Sequence, residues 1–205
     1  WLELLLEPFE DFQVTVVTGR IVTPRSSVGG EFKHTVRSLS NKNPEWFGIA
    51  TFGGFGLGSN MAFRRKACVG MNIFDERLGR GAPFDIAEEN YAFALLLSHG
   101  YKAVQVPHAI VFHPVGGPCN VVRDARNSIV FAMLLFSEFP RNRRDLIRFL
   151  FRRIQRKPLS WPRDSPDPGE IITSGWCVLL SASFSAALLF FRTRKSKEGR
   201  ILGTH

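Results

Sequence analysis

Apolar positions recur along this chain with two different periods, and each change of period marks an element. From Glu88 to His99 the residues Ala92, Phe93, Leu95, Leu96 and Leu97 fall at the spacing of a helix packed against a core. An acidic pair, Glu88-Glu89, opens that helix and Gly100 closes it. The following stretch, Tyr101–His113, reads as strand, a turn marked by Pro107, and strand. His113 therefore falls at the exit of a buried strand, where α/β sheets usually place their chemistry. Farther on, Leu146, Ile147, Leu150, Phe151 and Ile154 form one helical stripe among arginines, which predicts a basic amphipathic helix within Arg141–Lys157.

Composition changes this picture mainly at the C-terminal end. With 205 residues, 44% of them hydrophobic and 22% charged, the chain has material for one core of ordinary size, which excludes a disordered chain. The net charge is +9, and eight basic residues stand between Arg141 and Lys157 against a single acid, Asp145. Four prolines in the twelve residues Pro158–Gly169 predict a linker. The 21 residues Ile171–Phe191 carry no charge and precede Arg192-Thr-Arg-Lys-Ser-Lys197. That length suffices to span a bilayer, but Thr173, Ser174, Ser181, Ser183 and Ser185 dilute it, so a spanning helix and an interfacial helix both stand, with a buried helix behind them. If it spans, the basic residues after it place the C-terminus in the cytoplasm. Basic residues here follow an amphipathic face rather than a nucleic-acid motif, so no nucleic-acid partner is expected.

Candidate chemistry is concentrated between Gly58 and His113. The ordered series is Gly58-Ser59-Asn60, Phe74-Asp75-Glu76, Glu88-Glu89 and His113. Two carboxylates at a helix start are favoured by the backbone's positive end. Taken alone, the pair also fits a solvated helix start, and His113 alone fits a structural histidine. Asp75 and Glu76 read as a turn and helix-end feature, and Phe52–Gly58 as a flexible loop whose small residues let the backbone approach a ligand. Cys68, Cys119 and Cys177 lack the spacing of a zinc site or disulfide framework.

The strings Gly58-Ser-Asn-Met-Ala-Phe-Arg-Arg, Phe74-Asp-Glu-Arg-Leu-Gly-Arg-Gly81, Glu88-Glu89, Gly100-Tyr101 and Val111-Phe-His113, in this order, resemble the second half of family 2 glycosyltransferases. Val14–Pro24 resembles the strand and turn that follow the nucleotide-sugar site in that family, and Trp1–Phe9 resembles the helix that immediately follows its Asp-x-Asp metal motif. The resemblance implies an α/β fold of GT-A type, a mixed sheet with flanking helices, here partial and followed by membrane-associated helices. It divides the chain into residues 1–117 as the C-terminal half of the transferase domain, 118–157 as a helical extension, 158–170 as a linker, and 171–205 as an apolar membrane-associated helix with a basic tail.

By the same resemblance Glu89 is the general base that deprotonates the acceptor hydroxyl, with Glu88 beside it. Asn60, with Gly58 and Ser59, lines the donor-sugar pocket, and His113 is a ligand to a divalent cation, Mn2+ in preference to Mg2+. The expected partners are a nucleotide-sugar donor, a glycan or lipid-linked acceptor and an anionic membrane surface, at the cytoplasmic face of the cell membrane. The alternative is a non-catalytic, membrane-associated scaffold. The family has Asp where Glu89 stands and Gly where Ala87 stands, so the turn into the acidic helix is less permissive here. The family's Asp-x-Asp motif and nucleotide-binding half are expected to precede Trp1.

Overall fold

The computed structural model describes residues 1–22, 36–52, 55, 56, 58–113 and 121–156. They form six helices, α1 (Leu2–Leu6), α2 (Trp46–Phe52), α3 (Arg65–Cys68), α4 (Glu88–Ser98), α5 (Val121–Glu138) and α6 (Arg143–Arg156), with 3-10 turns at Glu7–Glu10 and Pro140–Asn142. Four strands, β1 (Val14–Val22), β2 (Arg37–Ser40), β3 (Met61–Phe63) and β4 (Lys102–Phe112), make one mixed sheet in the order β2-β4-β1-β3. The fold is thus α/β, with β1 and β4 parallel and the two edge strands antiparallel to their neighbours. Contacts divide the chain into two compact units, one comprising Trp1–Asp75 with Ala87–Gly117, the other Glu76–Ile86 with the chain from Pro118.

In the first unit β1 lies at the centre. Val14, Thr15, Val16, Val17 and Thr18 are all buried, as expected of a strand covered on both faces, and their β-branched side chains suit the pleated surface. Thr18 reconciles its hydroxyl with burial by donating to the Phe55 carbonyl at 2.8 Å. The start of β1 is held by Arg64, which donates to the carbonyls of Val14 at 2.9 Å, of Asp11 at 3.1 Å and of Phe9. One guanidinium thereby satisfies three carbonyls where the chain turns into the strand.

Helix α4 follows its sequence pattern closely. Tyr91, Ala92, Phe93, Ala94, Leu96 and Leu97 are buried, and losing a side chain such as Phe93 would cost about 3–5 kcal/mol. Gly100, at φ 89°, closes it. The Gly100 N–H donates to the Leu97 carbonyl at 3.0 Å and the Tyr101 N–H to Leu96 at 3.3 Å, the paired bonds of a left-handed helix stop.

In this unit two expectations change. Tyr101–His113 is not strand, turn and strand: β4 runs unbroken from Lys102 to Phe112, with Pro107 inside it. The pairing with β1 slips here, from Gly19 opposite Val106 to Arg20 opposite Ile110, so Pro107, His108 and Ala109 form a bulge. A bulge is where a strand tolerates proline, because the missing N–H interrupts no ladder bond. The described part of the Phe52–Gly58 loop is likewise anchored. Phe55 is buried, its carbonyl accepts from Thr18 and from Gln105 Nε2 at 2.9 Å, and Gly56 lies so close to the Thr18 side chain that a Cβ would collide. The small residue at position 56 lets the backbone approach β1.

In the second unit, Glu76–Ile86 is a turn built on Gly79 (φ 97°) and Gly81 (φ 81°). Asp75 and Glu76 lie at its entry and not at a helix end, since α3 stops at Cys68. Arg77 pairs with Glu138 of α5 at 2.5 Å, and Asn127 Nδ2 reaches the Asp85 carbonyl at 3.4 Å. Helices α5 and α6 form a hairpin through Pro140–Asn142, with Phe131, Leu134, Leu135, Phe139 and Leu146 buried. Helix α6 occupies most of the span in which the sequence predicts a basic amphipathic helix. No helix among the described residues is long and apolar enough to cross a membrane, and the segments 158–170 and 171–191 lie outside those residues.

Candidate functional site

Asn60 organises the end of the sheet. Where β4 bulges, the Ala109 carbonyl and the Arg20 carbonyl of β1 share one side-chain donor, as buried carbonyls require partners. Asn60 Nδ2 donates to both, at 2.8 Å to Ala109 and 2.9 Å to Arg20. Its Oδ1 accepts the Trp1 indole N–H at 3.0 Å, and its own carbonyl accepts from Gly19 N–H at 2.9 Å. The side chain is 1% exposed. Its amide spans the bulge and leaves no room for a side chain at position 19, where a Cβ would strike Asn60 and the Ala109 carbonyl.

With Asn60 in that position, Gly58 and Ser59 are exposed beside the start of α4. The Gly58 N–H donates to Glu89 Oε1 at 3.3 Å. The structure therefore brings together the Gly58–Asn60 turn and the acidic pair, two sets of residues that the sequence places about thirty positions apart. Glu88 and Glu89 occupy the first turn of α4, and the residue before them, Ala87, holds φ 66° and ψ 27°. That conformation disfavours a residue carrying a Cβ, so Ala87 holds local backbone strain.

Burial pushes the Glu89 carboxyl above its ordinary value of 4.5, and the neighbouring Glu88 acts in the same direction. The N–H groups of Glu89 itself and of Gly58 act in opposition by stabilising the anion. A carboxylate shifted upward in this way retains proton affinity closer to neutral pH.

His113 stands one residue beyond β4, exposed, its N–H donating to the Val22 carbonyl at 3.0 Å. Four positions separate it from Ala109, about 13 Å along an extended strand. The turn and the imidazole thus mark two points along the same end of the β1–β4 pair. Among the described residues no three His, Cys, Asp or Glu side chains are grouped to hold a metal ion. A lone imidazole does not make a cation site, so the described residues do not by themselves fit the Mn2+ or Mg2+ that the resemblance implies.

Sequence reasoning did not single out Gly19 and Arg64 as positioning residues. A glycine inside a β-branched run is the one signal that marks close backbone approach at position 19. Arg64 carries no local signal, because its three carbonyl partners depend on the fold. Compared with protein-family models, with curated proteins and with solved structures, the chain matches none.

Proposed function

We propose that this chain is the acceptor-side half of an inverting glycosyltransferase of GT-A type, in which Glu89 takes the proton from the attacking hydroxyl of a glycan or lipid-linked acceptor. The observation that supports it most is the contact between Gly58 N–H and Glu89 Oε1 at the head of α4, because it joins two of the motifs that resemble the family. That N–H fixes the carboxylate at the head of α4, and the upward shift of the carboxyl moves it toward the range useful to a base. Glu88 keeps the affinity high through its charge. Asn60 then acts through the turn: its amide nitrogen is taken by two backbone carbonyls and its oxygen by the Trp1 indole, so it positions Gly58 and Ser59 while those two face the donor sugar.

In the complete protein supplied with a nucleotide sugar, Glu89→Gln is expected to lower transfer about 10²- to 10⁴-fold while nucleotide binding changes little. Turnover equal to the parent would remove Glu89 from the mechanism. A second reading, a non-catalytic scaffold, is favoured by one observation, that Asn60 is wholly engaged in holding the sheet. It requires Glu89→Gln to have no catalytic effect.

A further inference from the structure

The α5–α6 hairpin exposes apolar side chains where a free-standing surface would carry polar ones. Helix α6 rests on α5 through Leu146, and this leaves the next positions of its apolar stripe open, Ile147 at 56% and Phe151 at 60% exposure, with Phe136 of α5 at 43%. Between the helices lies an open trough of about 400 Å³, lined by apolar side chains that include Ile129, Met133 and Phe136 of α5 and Leu146, Ile147 and Leu150 of α6. Single exposed apolar residues are ordinary on a protein surface, whereas a contiguous set bordering an apolar trough marks a contact surface.

Charge indicates what contacts it. Helix α6 carries six arginines against one acid, Asp145. Arg143 is held to the hairpin, its Nε donating to the Phe136 carbonyl at 2.7 Å and its guanidinium lying 4.7 Å from the Phe136 ring. Arg144 and Arg148 are exposed on the side of Ile147 and Phe151. Asp145 lies 3.8 Å from Arg148, a separation at which an exposed pair contributes little. A second copy of this chain would bring the same positive charge to the interface. The uncharged run Ile171–Phe191 would cover the trough but leave the arginines unanswered. A surface of hydrocarbon beneath phosphates answers both.

We propose that the open face of α5 and α6 is a docking surface for an anionic phospholipid bilayer. Phe136, Ile147 and Phe151 enter the boundary between headgroups and acyl chains, and Arg144 and Arg148 lie at the level of the phosphates. Helix α6 then lies in the plane of the membrane. The inference is independent of the transferase reading, since it concerns only the hairpin and holds whether or not Glu89 is a base.

The test is sedimentation of the full chain with vesicles of phosphatidylcholine containing phosphatidylglycerol, against vesicles of phosphatidylcholine alone. Binding is expected only to the anionic vesicles, weakening as salt is added. Arg144→Gln with Arg148→Gln should weaken it roughly 25-fold, about fivefold for each arginine near the surface. Ile147→Ser with Phe151→Ser should weaken it at least tenfold, by loss of inserted apolar area. Because the two pairs act through different forces, the arginine pair still decides if the serine pair perturbs folding, which far-ultraviolet circular dichroism reports. Absence of binding by the parent chain, or binding unchanged in both pairs, overturns the proposal. Two further results do the same: a lowered thermal midpoint of the serine pair without vesicles, which would mean that the chain covers this face itself, or a dimer that the serine pair converts to monomer.

Discussion

The sheet end around Asn60 and the open face of α6 depart from ordinary burial in opposite directions. At the sheet end a polar amide is driven to 1% exposure, and its cost is offset because both ends of the amide and the backbone carbonyl find partners. On α6, the apolar side chains of Ile147 and Phe151 remain more than half exposed. The first arrangement is closed: every group in it explains another, from the bulge at Pro107 to the turn that brings Gly58 to Glu89. The second is open, and its residues make energetic sense only against something outside the hairpin. A buried amide with partners at both of its ends indicates a rigid support, whereas an exposed apolar face indicates a surface meant for contact.

Removing a group from each region should therefore give very different stabilities. Asn60→Ala leaves the carbonyls of Arg20 and Ala109 and the indole of Trp1 without their partner, and should cost about 2–4 kcal/mol in denaturant unfolding. The serine pair at positions 147 and 151 should change the same measurement by no more than about 0.5 kcal/mol per site, as for exposed positions generally. Equal effects would erase the distinction between a closed and an open region.

A smaller effect, of opposite sign, is expected at Ala87. Its left-handed φ of 66° costs a residue with a Cβ about 1 kcal/mol, so Ala87→Gly should stabilise by somewhat less than that, read as a raised thermal midpoint. Loss of stability there would mean that Ala87 gains from its buried methyl more than it loses in backbone strain.

The smallest effect is a pH dependence. Because the folded chain holds the Glu89 proton to higher pH than the unfolded chain does, the folded state binds more protons between the two values. Stability should thus fall as pH rises through the window just above the ordinary glutamate value of 4.5, and stay lower beyond it. Glu89→Gln should remove that slope and gain a few tenths of a kcal/mol at neutral pH, the gain kept small by solvent screening at a partly open position. A parent chain whose stability instead rises through the same window would contradict the burial of this carboxylate.

Much of this was legible in the order of residues, and the exceptions share one cause. Helix α4 could be read because its signals are local: an acidic pair at one end, Gly100 at the other, apolar residues at helical spacing between. The stripe of α6 was legible for the same reason. Pro107 reads locally as a turn, whereas what accommodates it inside β4 includes Asn60, whose amide meets the Ala109 carbonyl 49 positions away in sequence. The anchored Phe55–Gly56 segment likewise depends on Thr18 and Gln105, residues with no local tie to it.

By itself, then, the sequence determined which residues could be helical, where the acidic pair would stand, and that the C-terminal part would combine arginine with an apolar stripe. Only the tertiary structure decided that Gly58 meets Glu89, that Asn60 turns inward to carry the sheet, and which half of the α6 stripe is covered by α5 and which is left open. Periodicity is a property of neighbouring residues and survives in the one-dimensional order. Partnership between a buried amide and a freed carbonyl is chosen by the whole fold, because any polar group of suitable reach could have filled that role.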